Sequence, residues 1–155
     1  MSGLQRFVEA QRGVYPAALA ELRSGAKRSH WMWFIFPQLA GLGRSETARY
    51  YAIGGLSEAR EYLAHPLLGP RLGDCTQAML QWAEKRSLDR ILGDVDALKF
   101  CSCMTLFEAA GGSQCHADAL DAFCAGHRDA RTLDLLDNEK APVTPDSRTA
   151  GTFLL

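Results

Sequence analysis

The sequence predicts an all-α protein: a compact single domain of about seven or eight short helices around one core. Three observations carry this. Apolar residues recur at three- and four-residue spacing along most of the chain, the period of a helix with one buried face. The strict alternation that marks half-buried strands is nearly absent. The chain has 155 residues, 47% hydrophobic and 23% charged, which suits one globular domain with a core but not two.

The elements follow in order. Leu4, Phe7, Val8 and Gln11 share helical spacing, ending near Gly13. Tyr15-Pro16 starts a second helix, with proline in the tolerated first turn; Leu19 and Leu22 form its apolar stripe and Gly25 stops it. Trp31 to Phe36 is a solid apolar run ended by Pro37. Periodicity alone cannot separate strand from buried helix there; no other segment supplies a pairing strand, so a short helix is expected. Ser45 caps a helix reaching about Ile53, and Ser57 caps another through Leu63, broken at His65-Pro66. His65 is expected to cap the preceding carbonyls.

Pro70 to about Glu84 reads as a longer helix carrying Leu72, Met79, Leu80 and Trp82. Asp94 caps a helix with Leu98, Cys101, Thr105 and Leu106, ended by Gly111-Gly112. Ala117, Leu120, Phe123 and Cys124 mark the next, stopped at Gly126, and Asp129 caps a last one through Leu136. From Asn138 the chain is polar, contains prolines and has no period. The expected organisation is a helical domain at 3–137 and a flexible C-terminal tail at 138–155.

Composition narrows the function classes. The formal net charge is -1, without the strongly basic balance of a nucleic-acid binder. Arg23, Lys27 and Arg28 form a local basic cluster that reads as a solvated helix end. No stretch approaches the roughly 18 apolar residues of a membrane span, and the N-terminus lacks the apolar core of a signal peptide. The five cysteines, Cys75, Cys101, Cys103, Cys115 and Cys124, are odd in number and irregularly spaced. They predict ordinary thiol packing in a reducing, cytoplasmic setting rather than a disulfide framework. Cys101-x-Cys103 is not a zinc signature and Cys115-His116 is isolated, so neither a metal nor a cofactor is expected.

One stretch concentrates chemistry. Ser29 to Ser45 reads Ser-His-Trp-Met-Trp-Phe-Ile-Phe-Pro-Gln-Leu-Ala-Gly-Leu-Gly-Arg-Ser. The turn Gly41-Leu42-Gly43-Arg44-Ser45 runs into a helix, where free N–H groups and the helix dipole attract anions and Arg44 can add a charged hydrogen bond. The alternative is a glycine turn with Ser45 as a plain cap; it is not a dinucleotide fingerprint, because Glu46 occupies the third glycine position. His30, Trp31, Trp33 and Gln38, joined by Tyr51, can line a pocket in which indole faces stack on a planar ligand, or they can be core. On the helix from Asp94, Asp96, Lys99 and Cys103 share one face and Ser102 and Thr105 a neighbouring one. Lys99 can hold an anion, or simply pair with Asp96 on the surface.

The strings Ser29-His-Trp-Met-Trp-Phe-Ile-Phe-Pro-Gln38, Gly41-Leu-Gly43-Arg-Ser45, Tyr51-Ala-Ile53, His65-Pro66-Leu-Leu-Gly69-Pro-Arg71-Leu72 and Asp96…Lys99-Phe…Met104-Thr-Leu-Phe107 resemble a bacterial domain family of unknown function, family 1810, over about Leu4 to Leu136. The resemblance implies a compact helical domain and brings no activity, substrate or cofactor. Cys101 and Cys103 depart from it: Arg or Ser, and Ser, are expected there. The calpastatin label some members carry does not suit a chain with a core. A looser likeness to small helical domains that process ADP-ribose is an analogy only.

Two functional readings follow. In the first, the Trp31–Ser45 segment and the Asp96–Thr105 helix hold a small nucleotide- or ADP-ribose-like anion, and if it is hydrolysed, Glu46, Asp96 or His30 supplies the acid or base. In the second, the domain is a non-enzymatic protein-interaction module and its aromatic run is core. The discriminator is whether Trp33, Gln38, Arg44 and Lys99 converge on one solvent-reachable hollow.

Overall fold

Helical spacing in the sequence becomes ten helices in the computed structural model, which describes residues 3–140; there are no strands among the described residues. They are α1 (Gln5–Gln11), α2 (Tyr15–Arg23), α3 (Met32–Ile35), α4 (Glu46–Tyr50), α5 (Leu56–Ala64), α6 (Leu68–Leu80), α7 (Leu88–Leu92), α8 (Asp94–Ala109), α9 (Gln114–Phe123) and α10 (Ala130–Lys140). The count exceeds the expected seven or eight because short helices form wherever a local cap is available. Ser87 Oγ accepts from the Arg90 N–H and starts α7, an element the apolar pattern does not reveal.

α8 is the central element. Eight of its residues from Ala97 to Phe107 are buried, on several sides of the helix, so it is wrapped by neighbours rather than laid on a surface. Phe7, Tyr62 and Phe107 pack ring on ring from α1, α5 and α8, at 5.3 Å between successive centroids. A second row runs Trp31–Phe36–Phe100–Phe123, with centroid distances of 6.3, 5.0 and 6.1 Å. Such tilted and edge-on pairs add to the stabilisation from burial alone.

Polar groups that enter this core are satisfied. Gln11 donates to the Phe34 carbonyl at 2.8 Å and to the Tyr62 hydroxyl at 3.3 Å, and accepts from Arg71. Thr76, fully buried, donates to the Leu72 carbonyl of its own helix.

Three expectations change. His65 caps the following helix, not the preceding one: its Nδ1 accepts from the Leu67 and Leu68 N–H groups at 3.1 and 3.2 Å. That moves the start of α6 ahead of Pro70, which falls in the first turn, where proline's missing N–H costs nothing. Ser57 caps nothing; α5 starts two residues earlier, at Leu56, and the Leu56 N–H is met by both oxygens of Glu139 on α10. α10 itself runs to Lys140 rather than stopping near Leu136, because Glu139 is tied to α5. Of the tail expected at 138–155, residues 141–155 lie outside the described residues.

The cysteine expectation is corrected as well. Cys101 on α8 and Cys124 just past α9 form a disulfide, while Cys75, Cys103 and Cys115 are buried free thiols. Sequence spacing of 23 residues gives no hint of the pairing; it follows from α8 and α9 packing side by side. Among the described residues no helix is long and apolar enough to cross a membrane.

Candidate functional site

The site is built where the α2 end meets the start of α8. Gly25, in the left-handed region at φ +75°, stops α2, and a side chain there would meet the Trp82 ring within 2.8 Å. Only glycine satisfies both constraints. The chain then turns so that the Lys27 N–H reaches the Ile91 carbonyl at 2.8 Å, which fixes residues 26–31 against α7.

Glu21, on the last turn of α2, organises this loop. Its carboxylate accepts from Ser29 Oγ, the Arg28 and Ser29 N–H groups and Trp31 Nε1, at 2.6 to 3.1 Å. Burial raises its pKa, but these donors together outweigh burial and hold it down at about 2. Trp31 is therefore fully buried with its one N–H partnered.

Lys27 lies over the Trp31 ring at 5.1 Å and pairs with Asp96 at 3.0 Å. Asp96 also pairs with Lys99 at 3.3 Å, and Lys99 sits 3.7 Å above the Trp33 ring centroid. The result is a continuous chain of contacts, Glu21–Trp31–Lys27–Asp96–Lys99–Trp33. Lys27, Asp96 and Lys99 each have a partner of opposite sign, while Glu21 is held by neutral donors.

Of the expected site residues, Trp31, Trp33, Asp96 and Lys99 are thus brought together. The others disperse. His30 and Arg44 are exposed, with no partner among the described residues. Gln38 contributes its backbone: its carbonyl accepts from the Ile53 N–H at 2.8 Å, and Ala40 N–H returns to Ile53, closing the 39–53 loop through one parallel bridge. Tyr51 packs against Phe7 and Phe34, and burial raises its pKa.

The glycine turn has structural reasons for its glycines. Gly41 is at φ +102°, and a side chain there would crowd Leu135 at 3.3 Å. Gly43 faces the Ala48 methyl, which a Cβ would meet at 2.5 Å. Ser45 caps α4 as expected, accepting from the Ala48 N–H at 3.0 Å. The Gly41 carbonyl is met by Arg131 from α10.

On α8, Ser102 donates to the Leu98 carbonyl and Thr105 to the Cys101 carbonyl one turn back. Thr105 Oγ1 also receives the Asp129 N–H at 2.9 Å, so both hydroxyls are buried and used. Cys103 is buried and its thiol is pushed well up by that burial, the opposite of an activated nucleophile. Cys115 Sγ lies 3.9 Å from His116 Nδ1, but both residues are buried, and burial lowers His116 to about 4.

The hollow beside α4 is lined by Glu46, Thr47, Arg49 and Tyr50; Trp33, Gln38, Arg44 and Lys99 are not part of it. Sequence reading missed Glu21 and treated Lys27 as a solvated helix end. A carboxylate ten residues before a buried tryptophan is a signal visible only once α2 is known to turn back on itself.

The chain belongs to the protein family of unknown function DUF1810, which it matches over residues 1–136. Its structure is similar to that of the conserved hypothetical protein Rv1873 from Mycobacterium tuberculosis, with a TM-score of 0.84 and 50% identity. The likeness covers 86% of this chain and 96% of that one. No curated protein matches the chain.

Proposed function

We propose that the domain is a non-catalytic interaction module that engages a protein partner, with the Trp31–Phe36 run serving as core. One observation carries this reading. On α8, the polar groups expected to hold a nucleotide-like anion are already occupied by the protein: Asp96 by two lysines, Lys99 by Asp96 and Trp33, and Ser102 and Thr105 by α8 carbonyls. Catalytic chemistry has no support in the shifted groups either. The carboxylates that shift, Glu21 and Glu108, shift down, and the thiols that shift, Cys75 and Cys103, shift up. A general acid and a thiolate nucleophile need the reverse.

The apolar surface points the same way. Val95 and Leu98 are 64% and 73% exposed at i, i+3 on α8, next to the turn that carries Asp96 and Lys99. Two large aliphatic side chains left in water on the most buried helix of the fold suit a partner's apolar surface.

The test pairs two measurements. A thermal-shift series with phosphate, NAD, ADP-ribose, nucleotides and nucleosides should show no midpoint change that depends on Arg44 or Lys99. A ligand at 100 times its Kd adds about 2.7 kcal/mol, so a real site there is easily seen, and a shift lost in Arg44→Ala or Lys99→Ala overturns the reading. In parallel, a partner captured by the wild-type protein is purified and titrated back. Its binding should be lost with Val95→Ser/Leu98→Ser, and binding indifferent to that pair also overturns the reading.

A further inference from the structure

A second basic cluster lies on the opposite end of α7 from Lys27. After α6 the chain makes a tight turn through Trp82–Arg86, in which Glu84 adopts the left-handed conformation at φ +65°. A non-glycine residue there is uncommon, and it persists only where surrounding contacts hold it. They do: Trp82 donates its indole N–H to the Leu22 carbonyl at 3.0 Å, and its ring closes on Gly25.

The turn rims a cavity of about 490 Å³. Lys85, Arg86 and Arg90 line it together with Glu84, and Leu88 and Phe123 provide its apolar wall. Three cations against one carboxylate leave a net charge of +2. None of these three cations makes an ion pair or a side-chain hydrogen bond within the described residues. Arg86 Nε is buried and has no acceptor. Arg86 as a residue lines this hollow of ligand size, and its shielded Nε finds no acceptor within the protein, an exception in folded proteins. The wall is firmly placed: Phe123 packs edge-on against the buried Phe100, and Cys124 beside it is bonded to Cys101.

We infer that this cavity binds the phosphomonoester group of a small molecule carrying a planar ring. The dianion matches the net charge and supplies the acceptors that the exposed Lys85 and Arg90 lack, with the Arg86 charge beside it. The ring lies against Phe123 and Leu88. The site is separate from the α8 surface assigned to a protein partner and does not depend on that reading.

Amide NMR titrations of the full chain with phenyl phosphate, inorganic phosphate and phenol test this. Phenyl phosphate should shift amides of residues 84–90 and 122–124 saturably, inorganic phosphate should shift the same amides with weaker affinity, and phenol should not bind. Lys85→Ala/Arg90→Ala, two exposed positions, should weaken phenyl phosphate at least about tenfold with the remaining spectrum unchanged. Arg44→Ala should leave binding as it is. The inference is overturned by no saturable shift at millimolar phenyl phosphate, by shifts centred on residues 41–45, by phenol binding equally well, or by binding that survives the double variant. Vesicles of phosphatidylcholine with phosphatidic acid carry the same group on a lipid. Sedimentation with them that needs Lys85 and Arg90, without phenyl phosphate binding, also overturns the assignment to a small molecule.

Discussion

Two basic clusters stand at the two ends of one row of aromatic rings, and they have opposite fates. Lys27 and Lys99 converge on Asp96 and lie over Trp31 and Trp33, where the row begins. Lys85, Arg86 and Arg90 surround a hollow walled by Phe123, where the row ends. The first cluster is embedded in the stretch richest in tryptophan and glycine; the second sits in a segment with nothing to single it out. Residue types mark where charge and aromatic surface occur together. Whether that charge is neutralised inside the protein or left available depends on which helix end arrives beside it.

The comparison can be broken from its strongest side first. If the Trp31 end is core, Trp31→Ala should cost about 3–5 kcal/mol in chemical denaturation. A loss below about 1 kcal/mol would return Trp31 to the status of an exposed ligand platform. Next is the disulfide that steadies the Phe123 end. Cys101→Ser/Cys124→Ser removes a cross-link spanning 23 residues, and should cost about 2–4 kcal/mol. Amide exchange should rise around residues 122–126 while the Glu21–Trp31 loop stays protected. Equal loosening at both ends would show that the two regions are not mechanically distinct.

Acid should reach the first region through Glu21. Glu21 is depressed to about 2 in the folded protein, below its ordinary value near 4.5. A carboxylate with a lowered folded pKa stabilises above its unfolded pKa, and that contribution disappears as pH falls from about 4.5 toward 2. His116, lowered to about 4 from 6.5 by burial, acts in the same direction at higher pH. The folded state favours its neutral form, so stability falls as pH drops through 6.5 toward 4. Urea midpoints against pH should therefore decline in two stages, and Glu21→Gln should shrink the lower one, leaving the part carried by Glu108 and its Arg128 partner.

The smallest effects separate the clusters most cleanly. Asp96→Asn leaves Lys27 and Lys99 facing each other, with side chains only 10% and 21% exposed, and should cost about 1 kcal/mol. Lys85→Ala or Arg90→Ala should change stability by less than about 0.5 kcal/mol, because neither has a partner to lose. Equal losses in both clusters would mean that the second set of charges is partnered in solution.

Much of this was legible beforehand for a definite reason. The helices α1, α2 and α9 show in the spacing of Leu4–Gln11, Leu19–Leu22 and Ala117–Phe123, because an amphipathic period is a local property. The Ser45 cap is legible for the same reason: donor and acceptor are three residues apart. α7 was missed because five residues are too few to display a period. The starts of α5 and α6 were misplaced because one is fixed from α10, by Glu139, and the other by an imidazole that accepts forward rather than back.

The sequence by itself determined the helical class, the Ser45 and Asp129 caps, and the family. Those rest on periodicity, short-range hydrogen bonds and a distinctive string around Trp31 and Trp33. Only the tertiary structure decided that Glu21 receives the Trp31 N–H, that Asp96 is held between two lysines, that Cys101 meets Cys124, and that Arg86 is left without an acceptor. These contacts, made mostly between different elements, set the fate of a charge or a thiol through neighbours that local order along the chain does not specify.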